Sequence, residues 1–144
     1  MPIVRLQSVD GYVAFDLVGC DRNAGGTRMA PDATEREAAL LARAMTYKFA
    51  VLGAAVGGAK GVIRHDPAAP DRAEVMARFC EEVRPLVESR RFATGPDMGT
   101  TEADFASLRS ASPAPSAMSA EVDGVAFEDL VTGFGVVAAR APGG

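Results

Sequence analysis

Between Gly11 and Gly19 the chain runs Tyr-Val-Ala-Phe-Asp-Leu-Val, a block of β-branched and aromatic residues bounded by turn formers, and this predicts a strand over 12–18. Ile3 to Leu6 gives a shorter and less marked strand signal. The stretch Gly19 to Gly26 is a loop by composition, and Thr27 to Met29 then predicts a short strand that Pro31 ends. At Thr34 the period changes. Thr34 is followed three residues on by Glu37, a capping-box spacing, and the apolar positions after it recur as in a helix that Gly53 stops. Leu40, Leu41, Ala44, Met45 and Tyr47 form its expected buried stripe, and the helix is apolar enough to be covered on more than one side. Lys48, in its last turn, stands apart from that company.

Lys60 to Arg64 predicts another strand, closed by Asp66-Pro67. Asp71 with Glu74 opens a second helix, in which Val75, Phe79 and Val83 keep i, i+4 spacing beside Met76 and Cys80. Pro85, lacking an amide hydrogen, is expected to kink or end it. Arg91 to Thr94 reads as a short strand, and Thr101 with Asp104 marks a short third helix carrying Phe105 and Leu108. A Ser/Ala/Pro-rich stretch follows, and then Phe127 to Arg140, expected to be helical despite Gly133 and Gly135. Strands alternating with helices predict an α/β fold, a mixed sheet covered by helices in two or three layers. The expected organisation is one domain over 1–112, a linker over 113–125 and a terminal helical segment over 126–144.

Composition narrows this picture. At 144 residues and 48% apolar, the chain has material for one domain with its own core. Cys20 and Cys80 form no C-x-x-C pair, so neither a disulfide framework nor a metal site is expected, and a reducing cytoplasm is. No apolar run approaches membrane-spanning length, and the opening residues lack a basic stretch followed by an apolar one. The net charge is −4 with no basic stripe among aromatics, which argues against nucleic acid as a partner.

Candidate chemistry gathers at three polar groups near element ends: Lys48, Lys60 in Val56-Gly-Gly-Ala-Lys-Gly-Val, and Asp97 in Gly-Pro-Asp-Met-Gly. Glycines 57, 58 and 61 have two readings. They form a bulge that leaves Lys60 as a solvated surface charge, or they let a ligand approach the main chain. Two lysines with one carboxylate suit an α-amino or α-keto acid: one ammonium holds the carboxylate, and a desolvated second lysine exchanges protons near neutral pH. Each group also has an ordinary role, Lys48 as partner of a helix dipole and Asp97 as a turn former. His65 reads as loop decoration, and Met29 and Met45 as core or pocket wall.

The segments AGGTRM, EAALLARAMTYKFA, VGGAKGVI, GPDMGTT and VTGFGVV, in this order, resemble the substrate-binding, dimerisation domain of the glutamate/leucine/phenylalanine/valine dehydrogenase family over about residues 12 to 138. The resemblance implies that Lys48 binds the substrate α-carboxylate, Lys60 is the catalytic lysine and Asp97 assists proton transfer at the amino group. It implies that Gly25 and Gly26 line the substrate pocket, to which Met45 is added as a candidate wall, that the glycines around Lys60 admit substrate and nicotinamide, and that Thr132, a candidate cofactor contact, matches a threonine where the nicotinamide domain would begin. NAD(P) is the implied cofactor and a homodimer or larger oligomer the implied state. Where glutamate-specific members resemble KGG, this chain has Ala24-Gly-Gly, which favours an apolar substrate side chain. The family's N-terminal helix has no counterpart, and no G-x-G-x-x-G occurs, so no Rossmann domain is expected in this chain. Two functions follow. One is the catalytic half of an amino acid dehydrogenase whose dinucleotide comes from another, Rossmann-type chain. The other is a stand-alone domain, either a lysine-dependent enzyme without NAD or an inactive binding and oligomerisation remnant.

Overall fold

The computed structural model describes residues 1–109 and, beyond them, the pairs Glu121–Val122 and Val125–Ala126. The chain falls into two units, residues 1–112 and 113–144. In the first unit, strands β1 (Ile3–Arg5), β2 (Gly11–Phe15), β3 (Asn23–Ala24), β4 (Thr27–Met29) and β5 (Gly57–Ile63) make one mixed sheet. β1 lies antiparallel on β2 and β2 antiparallel on β5, whereas β3 and β4 lie end to end along the other side of β5, both parallel to it. All seven residues of β5 are buried.

Helix α1 (Glu35–Val51) covers one face of the sheet, and helix α2 (Arg72–Glu88) covers the other with a 3-10 turn (Glu102–Phe105) and α3 (Ala106–Arg109). Side chains alternate along β5: Ala59 and Ile63 join Met76, Phe79, Cys80 and Val83 of α2, while Val62 joins Ala38 and Ala42 of α1. The result is a three-layer α/β arrangement. In the second unit β6 (Glu121–Val122) pairs antiparallel with β7 (Val125–Ala126), where the stretch expected as linker meets the expected terminal segment. Thr132 and the expected terminal helix lie outside the described residues.

Several elements begin and end where their residues dictate. Thr34 caps α1 by accepting the Glu37 amide at 3.1 Å, and Gly53 follows at φ 69°. Thr101 and Asp104 form a reciprocal capping box. Three expectations are corrected. Pro85 does not itself end α2 but opens its last turn, because the helix runs on to Glu88, the Pro85 carbonyl accepts the Ser89 amide, and Leu86 and Val87 pack against the core. The inward face of α1 is Ala38 and Ala42, while Leu40 and Tyr47 are 59% and 65% exposed. Arg91 to Thr94 makes only an isolated bridge, Ala93 to Ala24.

Candidate functional site

Lys60 sits at the middle of β5, opposite Ala14 of β2, and shares with Gly58 and Val62 the face that meets α1. The reading of glycines 57, 58 and 61 as a bulge beneath a solvated lysine is therefore overturned: they belong to one continuous strand, and Lys60 is only 5% exposed. Nor do they open a path to the lysine. A Cβ on Gly58 would collide with the Ala42 carbonyl and Thr46 of α1, one on Gly57 with Asn23, and one on Gly61 with Thr27. Their bareness is filled by the chain's own elements. At Gly58 it lets α1 come close enough for the Thr46 hydroxyl to accept the Gly58 amide at 2.9 Å.

Asp97 reaches the same place from the segment after Ala93, which runs along β3 and β4 through the bridges Ala24 to Ala93 and Thr27 to Pro96. Its Oδ2 forms an ion pair with Lys60 Nζ, and its Oδ1 accepts the Met98 amide at 2.6 Å. Lys48 is exposed in the last turn of α1, two residues beyond Thr46. Burial lowers the Lys60 pKa to about 8; Arg28 and Lys48 push it the same way, and Glu37 opposes them. A lysine so placed is partly neutral near physiological pH, as proton exchange with a substrate requires.

Of the expected pocket residues, Gly26 fits best: a Cβ there would lie 3.1 Å from the Asp97 Cβ, so it faces the ion pair. Gly25 is buried, and a Cβ there would meet the Ala59 carbonyl of β5. Met45 is half-buried on α1, three residues before Lys48 and so on its side of the helix. Arg28 and Glu37, which form an ion pair beside Lys60, were not among the expected site residues. Alternation within Thr27-Arg28-Met29 was the available signal, since Met29 enters the α2-side core and Arg28 must face the other way. Thr46 and Thr100 were likewise missed. Both lysines of the chain lie at this site, and every other basic residue except His65 is an arginine.

A depression of about 430 Å³ lies elsewhere, lined by Arg5 to Asp10, but the Gln7 and Ser8 amides on it are already held by the Glu82 carboxylate at 2.7 and 2.9 Å. It presents no converging reactive groups. The described residues also do not fit a dinucleotide, because the glycines of β5 are closed by Thr46, Asn23 and Thr27 rather than left open at a helix N-terminus. Among the described residues no cluster of three His, Cys, Asp or Glu could hold a metal ion, and no helix is long and apolar enough to cross a membrane.

Comparison with known proteins identifies relatives of the chain and of its fold. Residues 5–112 match the Glu/Leu/Phe/Val dehydrogenase dimerisation domain. Phenylalanine dehydrogenase of Caldalkalibacillus thermarum is 35% identical over 117 residues, which cover 78% of this chain and 31% of that protein. Valine dehydrogenase of Streptomyces virginiae is 35% identical over 136 residues, covering 92% and 37%. Among solved structures, L-tryptophan dehydrogenase from Nostoc punctiforme superposes with a TM-score of 0.66 at 25% identity, covering 76% of this chain and 34% of that one. The Leu-bound hetero-hexameric glutamate dehydrogenase from Thermus thermophilus superposes at 0.65 and 27%, covering 76% and 30%. The chain spans about a third of the length of these relatives.

Proposed function

The chain belongs to the Glu/Leu/Phe/Val dehydrogenase family through its dimerisation domain, and from that membership we propose that it is the substrate-binding, catalytic half of an amino acid dehydrogenase. Its substrate is an apolar L-amino acid, converted to the 2-keto acid and ammonia in the cytoplasm by a homo-oligomer, with NAD(P) held outside the described residues. The observation that carries this reading is the buried Lys60 paired with Asp97, with Lys48 exposed nearby.

Lys48 holds the substrate carboxylate. Asp97 takes a proton from the substrate ammonium, and Lys60, neutral in part, takes one from the water that replaces the nitrogen. The dinucleotide supplies the hydride acceptor. Ala24, half-buried in β3, leaves no charge for a side-chain carboxylate and supports an apolar substrate.

Calorimetric titration with 2-keto acids of differing side chains, beside an absorbance assay for NADH, tests this. The purified chain binds an apolar keto acid weakly and forms no NADH alone, since half a cleft leaves the charged contacts in water. Lys48→Ala lowers affinity by about tenfold or more, as loss of a charge-assisted contact does, whereas Lys60→Ala leaves it largely intact. Equal binding by the Lys48→Ala variant overturns the carboxylate assignment. Trapping of a keto acid on Lys60 by borohydride would instead favour imine chemistry without NAD, which a lysine of lowered pKa also suits.

A further inference from the structure

Thr100 lies in the segment Gly95-Pro-Asp-Met-Gly-Thr-Thr, which carries Asp97 past the edge of the sheet. Its amide donates to the Asp97 carbonyl at 3.0 Å and closes a four-residue turn with Gly99 at φ 78°. A side chain on Gly99 would meet the Met29 carbonyl, so the turn is pressed against β4. The Thr27 amide donates to the Gly95 carbonyl and the Met29 amide to the Met98 carbonyl, each at 2.9 Å. These two bonds hold the segment on either side of Asp97 but not Asp97 itself.

The Thr100 hydroxyl makes that connection. It accepts the Asp97 amide at 2.9 Å and lies 2.8 Å from the Thr27 carbonyl, to which it donates. Thr27 is in register with Gly61, the residue next to Lys60. The contacts therefore close a ring: Lys60 and Gly61 in β5, Thr27 in β4, the Thr100 hydroxyl, Asp97, and back to Lys60 through the ion pair. Within it the Asp97 carboxylate is divided, Oδ1 taken by Met98 and Oδ2 turned to the lysine.

We infer that Thr100 is a positioning residue of this site, whose hydroxyl ties the Asp97 backbone to β4 and so sets the Asp97 carboxylate against Lys60. The inference rests on the reading of Lys60 and Asp97 as the proton-handling pair. A methyl group in place of the hydroxyl removes the acceptor of the Asp97 amide and a donor to the Thr27 carbonyl, and the aspartate is then freer to leave the lysine.

The test needs neither ligand nor turnover. With ε-13C-lysine incorporated, the chain gives two lysine signals, one each from Lys48 and Lys60. Loss of a nearby opposite charge disfavours the ammonium, so Thr100→Val lowers the Lys60 titration midpoint by about 0.5 pH unit or more, while Thr100→Ser, which keeps the hydroxyl, does not move it. In an Asp97→Asn background, Thr100→Val adds no further shift. Should the valine variant not fold, Thr100→Ala in an osmolyte that favours the compact state replaces it. An unchanged midpoint in the valine or alanine variant overturns the assignment, and so does an equal shift in the Asp97→Asn background, which a merely structural role would produce. If keto acids fail to bind while this cycle behaves as described, the functional reading falls and the positioning role stands.

Discussion

On the side of the sheet that meets α2, the buried residues include Phe15, Phe79, Phe92, Phe105, Met29 and Met76, with Ala59 and Cys80 the small ones; on the side that meets α1 they are Ala14, Ala30, Ala33, Ala38, Ala42 and Val62. The first face fills its space with large side chains, including an edge-on contact between Phe15 and Phe92 with centroids 6.0 Å apart. The second fills it by bringing the helix backbone close. That closeness is what admits polar chemistry, because a hydroxyl on α1 reaches the strand amide at Gly58 and Glu37 acts on Lys60 from the first turn of the helix. One strand, β5, serves both faces by alternation, so a folding core and a candidate reaction site share seven residues of backbone.

Substitutions can break this comparison, and the largest effect is expected at Gly58. Gly58→Val would drive its side chain into the Ala42 carbonyl and Thr46 of α1, where backbone cannot give way. We expect loss of the cooperative unfolding transition, followed by circular dichroism in urea; a variant that still unfolds cooperatively would show that α1 is not seated as described. On the opposite face, Phe79→Ala leaves a cavity and costs about 3–5 kcal/mol, measurable from the shift in the denaturation midpoint, yet leaves the Lys60 titration unmoved. A coupled change would mean that the two faces are not independent.

The smallest effect is a slope. Lys60 titrates at about 8 in the fold against 10.5 when free, lowered chiefly by burial. Below pH 8 both states carry the proton, and the cost of burying the charge is present in full. Between the two values the unfolded chain binds more protons, so stability rises with pH through that window. Glu37 is already counted in the value of about 8, so the difference of the two values sets the rise at about 3 kcal/mol at most. Subtracting the urea stability of Lys60→Met, measured at the same pH values, isolates it from other titrating groups; a flat difference would place Lys60 in water.

The legible parts of the sequence are those fixed by local chemistry. Thr34 with Glu37, Gly53, and Thr101 with Asp104 each bound an element through hydrogen bonds or a backbone angle that a few neighbouring residues determine. The spacing of Lys48 to Lys60 and the Pro-Asp-x-Gly loop pointed to the family. What could not be read depended on contacts distant in sequence. Glycines 57 and 58 resemble a loop until α1 and β3 are in place against them. Leu40 and Tyr47 look more suited to burial than Ala38 and Ala42, but only alanine fits where Gly58 draws the helix in. Pro85 signals a helix end, and packing of Leu86 and Val87 overrides it. Thr100 carries no signal of its own, because its meaning comes from Thr27, 73 positions earlier.

The hydrogen bond between Thr46 and Gly58 has a consequence for anyone who would rewire this chain. Each lysine stands two residues beyond one half of that joint, Lys48 after Thr46 and Lys60 after Gly58. The gauge between them is therefore set by a weld of helix to strand, and the exposed residues Gly53 to Ala55 are only a tether. A circular permutant with its new ends between Ala54 and Ala55 should keep both lysines at their original separation, and so should a graft that carries α1 and β5 as one piece into another sheet.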